Sequence, residues 1–207
     1  MPDSIMYHDG NRRLQDAFDS RRIADRLEAK LTRMAFTADD KTFIESAIYF
    51  FLATADAQGR PDCSFKGGAP GFVRVTAPDE LAFPDYDGNG MFKSLGNLAV
   101  NASVGLLFID MHERPRRLRV NGEASVSRDD ALLAHTVGAQ LIVRVKARAI
   151  FPNCPRYIPK LTLAEPSRYV PRPGQEPVEP AWKAFADFKD CVHPRQSTFK
   201  GEPGGTA

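Results

Sequence analysis

The chain has 207 residues, 43% of them apolar and 26% charged, which suits a soluble globular protein of one domain with extensions or two small domains. Its formal charge of +2 excludes a bulk nucleic-acid or anionic-membrane binder, and its most apolar run, residues 47–55, is far short of the ~20 residues a spanning helix needs. Cys63, Cys154 and Cys191 are odd in number and widely spaced, which argues against a disulfide framework and a structural zinc site.

Residues 11–34 hold no Gly or Pro and place Leu14, Phe18, Leu27, Leu31 and Met34 at helical spacing, which predicts one amphipathic helix. Its other face mixes Arg12, Arg13, Arg21, Arg22 and Arg26 with acids, as a solvated, ion-paired face does. Thr37 and Asp40 form a capping-box pair that opens a second short helix. No apolar signal core precedes these helices, so a cytoplasmic protein is expected.

From about residue 48 the pattern changes to strands and turns. Residues 48–56 are β-branched and aromatic and lead through Ala57–Arg60 into 60–68 as a hairpin. Residues 71–83 give two short runs around Pro78-Asp79, and 103–111 form a continuous apolar run expected to be buried on both faces. Along 116–126, Leu118, Val120, Gly122, Ala124 and Val126 alternate with Arg117, Arg119, Asn121, Glu123 and Ser125. A short helix at 128–135 and a long strand at 140–151 follow. Short strands with tight turns and no room for crossover helices predict a mainly β fold, an antiparallel barrel with flanking helices. Ten of the sixteen prolines fall after residue 151, which leaves only 179–192 as a candidate helix there. In it Trp182, Phe185, Phe188 and Val192 make a packing stripe toward the barrel or a second subunit. The last dozen residues, 196–207, have a disordered composition.

No side-chain catalytic constellation is present: His8, His112, His135 and His193 fall in separate segments, and no metalloprotease, nucleophile-elbow or P-loop pattern occurs. The polar, glycine-rich segment 83–108 remains. It reads either as an ordinary turn into a short helix at 92–100 or as backbone N–H groups, helped by Lys93 and Ser94, presented to a phosphate. Cys154, between two prolines and near Arg156, reads as a reactive thiol or as a buried small residue; Cys63 reads as core.

Taken together, FLATADAQGRPDCSFKGG (51–68), FPDYDGNGMFKSLGNLAVNASVGLLF (83–108) and LRVNGEASV (118–126) resemble, in order and spacing, the pyridoxamine 5′-phosphate oxidase-like family of FMN-binding split barrels. The N-terminal helical segment and FPNCPRYI (151–158) resemble the subgroup of flavin-nucleotide-binding proteins. The resemblance implies a six-stranded antiparallel split β-barrel of Greek-key type over 45–151, with a helical extension at 1–44 and a Pro-rich extension at 152–207. It implies a homodimer with FMN at the subunit interface, Ser64, Phe65, Lys66 and Gly67 along the isoalloxazine ring, and Asn89, Lys93, Ser94 and Asn97 at the phosphate end. Lys93-Ser94 stands where the oxidases carry an Arg-Lys pair, so Arg116 or Arg119 is a candidate second charge. The C-terminal Trp/Arg segment of true pyridoxamine phosphate oxidases is not reproduced around Trp182. The expected activity is therefore a flavin-dependent oxidoreductase acting on another small molecule, with NAD(P)H a candidate electron donor. The alternative is a non-catalytic module holding a flavin, haem or deazaflavin.

Overall fold

A computed structural model describes residues 4–112 and 114–192; the tail from residue 196, expected to be disordered, lies outside them. Seven strands form one antiparallel sheet: β1 (Tyr49–Ala55), β2 (Pro61–Gly67), β3 (Arg74–Ala77), β4 (Glu80–Tyr86), β5 (Ser103–Asp110), β6 (Arg116–Ser127) and β7 (Ala139–Pro152). Their order is β2-β1-β5-β6-β7-β4-β3. The count is seven rather than six because the turn at Pro78-Asp79 makes a separate hairpin of the four-residue β3 with β4.

The sheet curls into a barrel. Phe50 on β1 lies 5.0 Å from Phe83 on β4 and 5.1 Å from Phe108 on β5, although β1 and β4 are not sheet neighbours. Phe50, Leu52, Leu81, Phe83, Leu106, Phe108, Leu118, Val120 and Ile150 fill the interior, where each large side chain stabilises by roughly 1.5–3 kcal/mol. β6 alternates as its sequence requires, burying Leu118, Val120, Gly122 and Ala124, and the pattern lapses only at the exposed Val126. The pairing with β7 slips by one residue at Asn121/Gly122. A Cβ on Gly122 would overlap the Lys146 carbonyl oxygen, so the bulge requires glycine there. β5 departs from expectation: it buries Val104, Leu106 and Phe108 but leaves Leu107 and Ile109 half-buried on the outer face.

Helices close the ends. α3 (Ala38–Ser46) starts with the expected box, Thr37 Oγ1 accepting from Asp40 N and Asp40 Oδ2 from Thr37 N, and buries Ile44. Arg33 donates to both Asp40 oxygens at 2.8 Å and its backbone bridges Ile150, which ties the N-terminal segment to β7. The predicted single helix over 11–34 is two, α1 (Asp9–Ala17) and α2 (Arg21–Leu31), because the chain reverses at Asp19, whose φ is 49°. Its charged face is ion-paired in part, Arg12 to Asp25 and Arg21 to Asp16. The apolar side chains Leu14, Phe18, Leu27, Leu31 and Met34 are exposed. α4 (Lys93–Leu98) plugs the barrel beside β1 with Leu95 and Leu98. The C-terminal stripe forms only one 3-10 turn, Ala181–Ala184, with Trp182 edge-on to Phe188 at 6.0 Å and Phe185 and Phe188 exposed.

Candidate functional site

β2 is an edge strand, and its position explains what it can do. Gly68 donates to the Ile48 carbonyl at 3.0 Å, which fixes the phase of the β1–β2 ladder. The N–H groups of Asp62, Ser64 and Lys66 therefore point to β1, and those of Cys63, Phe65 and Gly67 point to the open side. Side chains divide the other way. Ser64 and Lys66, opposite Leu52 and Phe50, face the barrel; Phe65 faces out, stacked on Tyr49 at 5.5 Å and edge-on to Phe51 at 6.0 Å.

Across the open side stands β4. Phe65, Lys66 and Gly67 on one wall and Pro84, Asp85 and Tyr86 on the other, with Phe72 between, enclose a cleft of about 170 Å³. This is the split of the barrel. Burial pushes the Asp85 carboxyl above its ordinary value; Lys66 draws it back down and Asp87 adds to the rise. Burial also raises Tyr86, against the pull of Arg74. The cleft thus offers one cation, one carboxyl held toward its neutral form, a phenol and a row of unpaired backbone donors. Among the described residues, no His, Met or Cys lines it.

The phosphate-side residues are less well gathered. Lys93 and Asn89 are exposed, and Asn89 Oδ1 accepts from Met91 N at 3.0 Å. Ser94 and Asn97 are each 5% exposed and face the core, where Asn97 Nδ2 donates to Thr54 Oγ1 at 2.9 Å. A six-residue helix has one inward face, and Leu95 and Leu98 draw Ser94 and Asn97 onto it while Lys93 stays outside. Arg116 is likewise committed, to Asp39 at 2.7 Å and over the Phe43 ring at 4.4 Å; Arg119 is exposed on the outer face. Sequence reasoning missed Asp85 and Tyr86 as partners of Lys66. Cys63 is not core but exposed, because no strand covers β2; Cys154 is exposed as well. Arg156 stacks on Tyr157 at 5.5 Å.

A second groove, about 320 Å³, lies on the outer face where Ala53, Ala55, Ser103 and Gly105 leave a hollow beside Asn121, Glu123 and Arg148. Gly105 is part of its floor: a Cβ there would stand 3.3 Å from Asn121 Nδ2.

An antiparallel barrel split along one polar edge defines the class, a mainly β split barrel. The chain belongs to the pyridoxamine 5′-phosphate oxidase family, whose model matches residues 36–165. Among solved structures it is similar to HupZ from Group A Streptococcus, at 18% identity over 56% of this chain and 98% of that one, TM-score 0.46. It is also similar to HutZ, the heme storage protein from Vibrio cholerae, at 19% identity over 57% and 96%, TM-score 0.42. An FMN-binding protein from Syntrophomonas wolfei matches at 11% identity over 68% and 97%, TM-score 0.44. No curated protein matches the chain. No helix among the described residues is long and apolar enough to cross a membrane.

Proposed function

We propose that the chain binds FMN against the open edge of β2 and works as a flavin-dependent oxidoreductase on a small molecule, as a homodimer. The observation that carries this reading is the coincidence of the Phe65 and Gly67 N–H groups, which no strand among the described residues pairs, with the Lys66 cleft, and of the Cys63 N–H further along the same edge. A flavin ring edge is a row of carbonyl oxygens and nitrogens, and backbone donors at strand spacing suit it. The cleft's 170 Å³ is below the ~300 Å³ at which small-molecule sites begin, so it takes one end of the ligand and leaves the rest along the strand edge. A second subunit covering that edge would complete the enclosure. The outer aromatic cluster of Tyr49, Phe51 and Phe65, with Phe65 62% exposed, is the surface we assign to that contact.

When bound, the flavin supplies the redox chemistry, accepting or giving a hydride. The chain's own residues position and bias it. Lys66 favours negative charge on whatever lies beside it, while Asp85, kept toward neutrality by burial, weakens that bias less than a full carboxylate would. Lys93, exposed at the start of α4, is the cation available to a phosphate. No acid–base side chain is required for hydride transfer, in keeping with the sparse site. The test is the visible spectrum of the purified protein after FMN is added and excess removed. Retained flavin absorbance is expected, followed by NADH or NADPH oxidation; a colourless protein that refuses FMN would overturn the reading.

A further inference from the structure

Beyond β7 the chain returns across the barrel instead of leaving it. Leu161 donates its N–H to the Met111 carbonyl at 2.6 Å, and its own carbonyl lies 3.1 Å from His112 Nδ1. Pro171 then settles in the space a side chain at Gly138 would need: a Cβ there would fall 2.6 Å from Pro171 Cγ and 3.9 Å from Tyr86 Cδ1, and Gly138 has φ +77°. Finally Lys183, on the Ala181–Ala184 turn and only 9% exposed, places Nζ 2.7 Å from Asp87 Oδ2 and 2.8 Å from Glu179 Oε1. A lysine so buried is rare without carboxylate partners. Burial pulls its pKa down, yet the hydrogen bonds to Asp87 and Glu179 prevail and leave it raised.

These contacts bear on the cleft. Tyr86 is one of its walls, and the next residue, Asp87, is held by Lys183. Asp85 lines the cleft and Asp87 stands two positions on, raising its carboxyl further, so positive charge beside Asp87 favours an anion there. Lys183 brings the compensating charge from nearly one hundred residues away in sequence. Few apolar contacts support the tail, since residues 159–169 are exposed almost throughout, so its attachment depends heavily on these polar ties.

We propose that residues 153–192 form a latched strap, and that Lys183 is its positioning residue: by holding Asp87 it docks the strap at the end of β4 and offsets that carboxylate, favouring a phosphate-bearing ligand at the cleft. The ligand rests on the flavin reading of the cleft; the latch does not.

The experiment compares wild type, Lys183→Met, Lys183→Arg and the double variant Lys183→Met/Asp87→Asn. Two readouts need no ligand: the rate of limited chymotrypsin cleavage in the strap, and the fluorescence anisotropy of Trp182, the chain's single tryptophan. The third is affinity for FMN and for riboflavin, which lacks the phosphate. Lys183→Met is expected to speed cleavage and free Trp182, and to weaken FMN about fivefold to tenfold with riboflavin unchanged. Lys183→Arg should keep wild-type behaviour, and the double variant should recover FMN affinity while its strap stays loose. Unchanged cleavage and anisotropy in Lys183→Met would overturn the latch, and equal loss of FMN and riboflavin would overturn the charge argument. If wild type binds neither flavin, the ligand half falls with the flavin reading, and the cleavage rates still decide the latch.

Discussion

β1 and β2 are hydrogen-bonded partners of seven residues each, yet β1 buries Phe50, Leu52 and Thr54 while β2 buries nothing. Their side chains point the same ways: Lys66 stands opposite Phe50 and Ser64 opposite Leu52. The difference lies across the interior. β1 meets Phe83 of β4, whereas β2 meets the split. Direction is a property of the strand itself; coverage is decided by strands far away in the chain. An inward residue at a covered position becomes core, and one at an uncovered position becomes available for a ligand.

Substitutions along the pair sharpen that contrast. The largest effect is expected from Phe50→Ala, at about 3–5 kcal/mol of stability by chemical denaturation; a loss under about 1 kcal/mol would mean the barrel does not close over β1. Next comes Asn97→Ala, which strands the buried Thr54 hydroxyl and should cost about 1–3 kcal/mol. Because Asn97 faces the core, FMN affinity of the folded variant should hold, and a large drop would return Asn97 to the ligand. On the uncovered strand, Lys66→Met should move stability by no more than about 0.5 kcal/mol while weakening FMN by roughly 1.5–3 kcal/mol in a binding titration. Loss of stability without loss of affinity would make Lys66 structural.

The smallest effect concerns Asp85. Its folded pKa is raised, first by burial, so it contributes stability below the ordinary carboxylate pKa and loses that contribution as pH rises through the raised value. Asp85→Asn should therefore gain on wild type as melts are repeated from pH 4 to pH 7. A difference that is flat with pH would show that the carboxyl is not paying for its burial.

Much of the β architecture was legible because alternation and turn residues are local signals. Leu118 to Ala124, the hairpin at Ala57–Arg60 and the Thr37–Asp40 cap all stand where their spacing put them. What was not legible has several causes. Ser94 and Asn97 sit in a segment whose polarity suggests a ligand, but Leu95 and Leu98 beside them mark a core-facing stripe that could have been read. Cys63 lies in a strand pattern, and nothing local tells that its strand is an uncovered edge. The facing of Lys66 and Asp85 joins the edge strand β2 to β4 near the far side of the sheet, a closure no window of sequence displays. Asp19 ended the first helix through a backbone conformation that the apolar period did not reveal.

The same bare edge of β2 governs how the protein will store and concentrate. Unpaired N–H groups on an exposed strand, beside an outward Phe65 and an exposed thiol at Cys63, are a template on which another chain's strand can zip. Arg60 just before that strand and Asp62 and Lys66 on it act as charged gatekeepers against such stacking, and they are few. Any molecule that caps the edge therefore also acts as a solubiliser, and turbidity on standing, with and without it, reports occupancy without a chromophore.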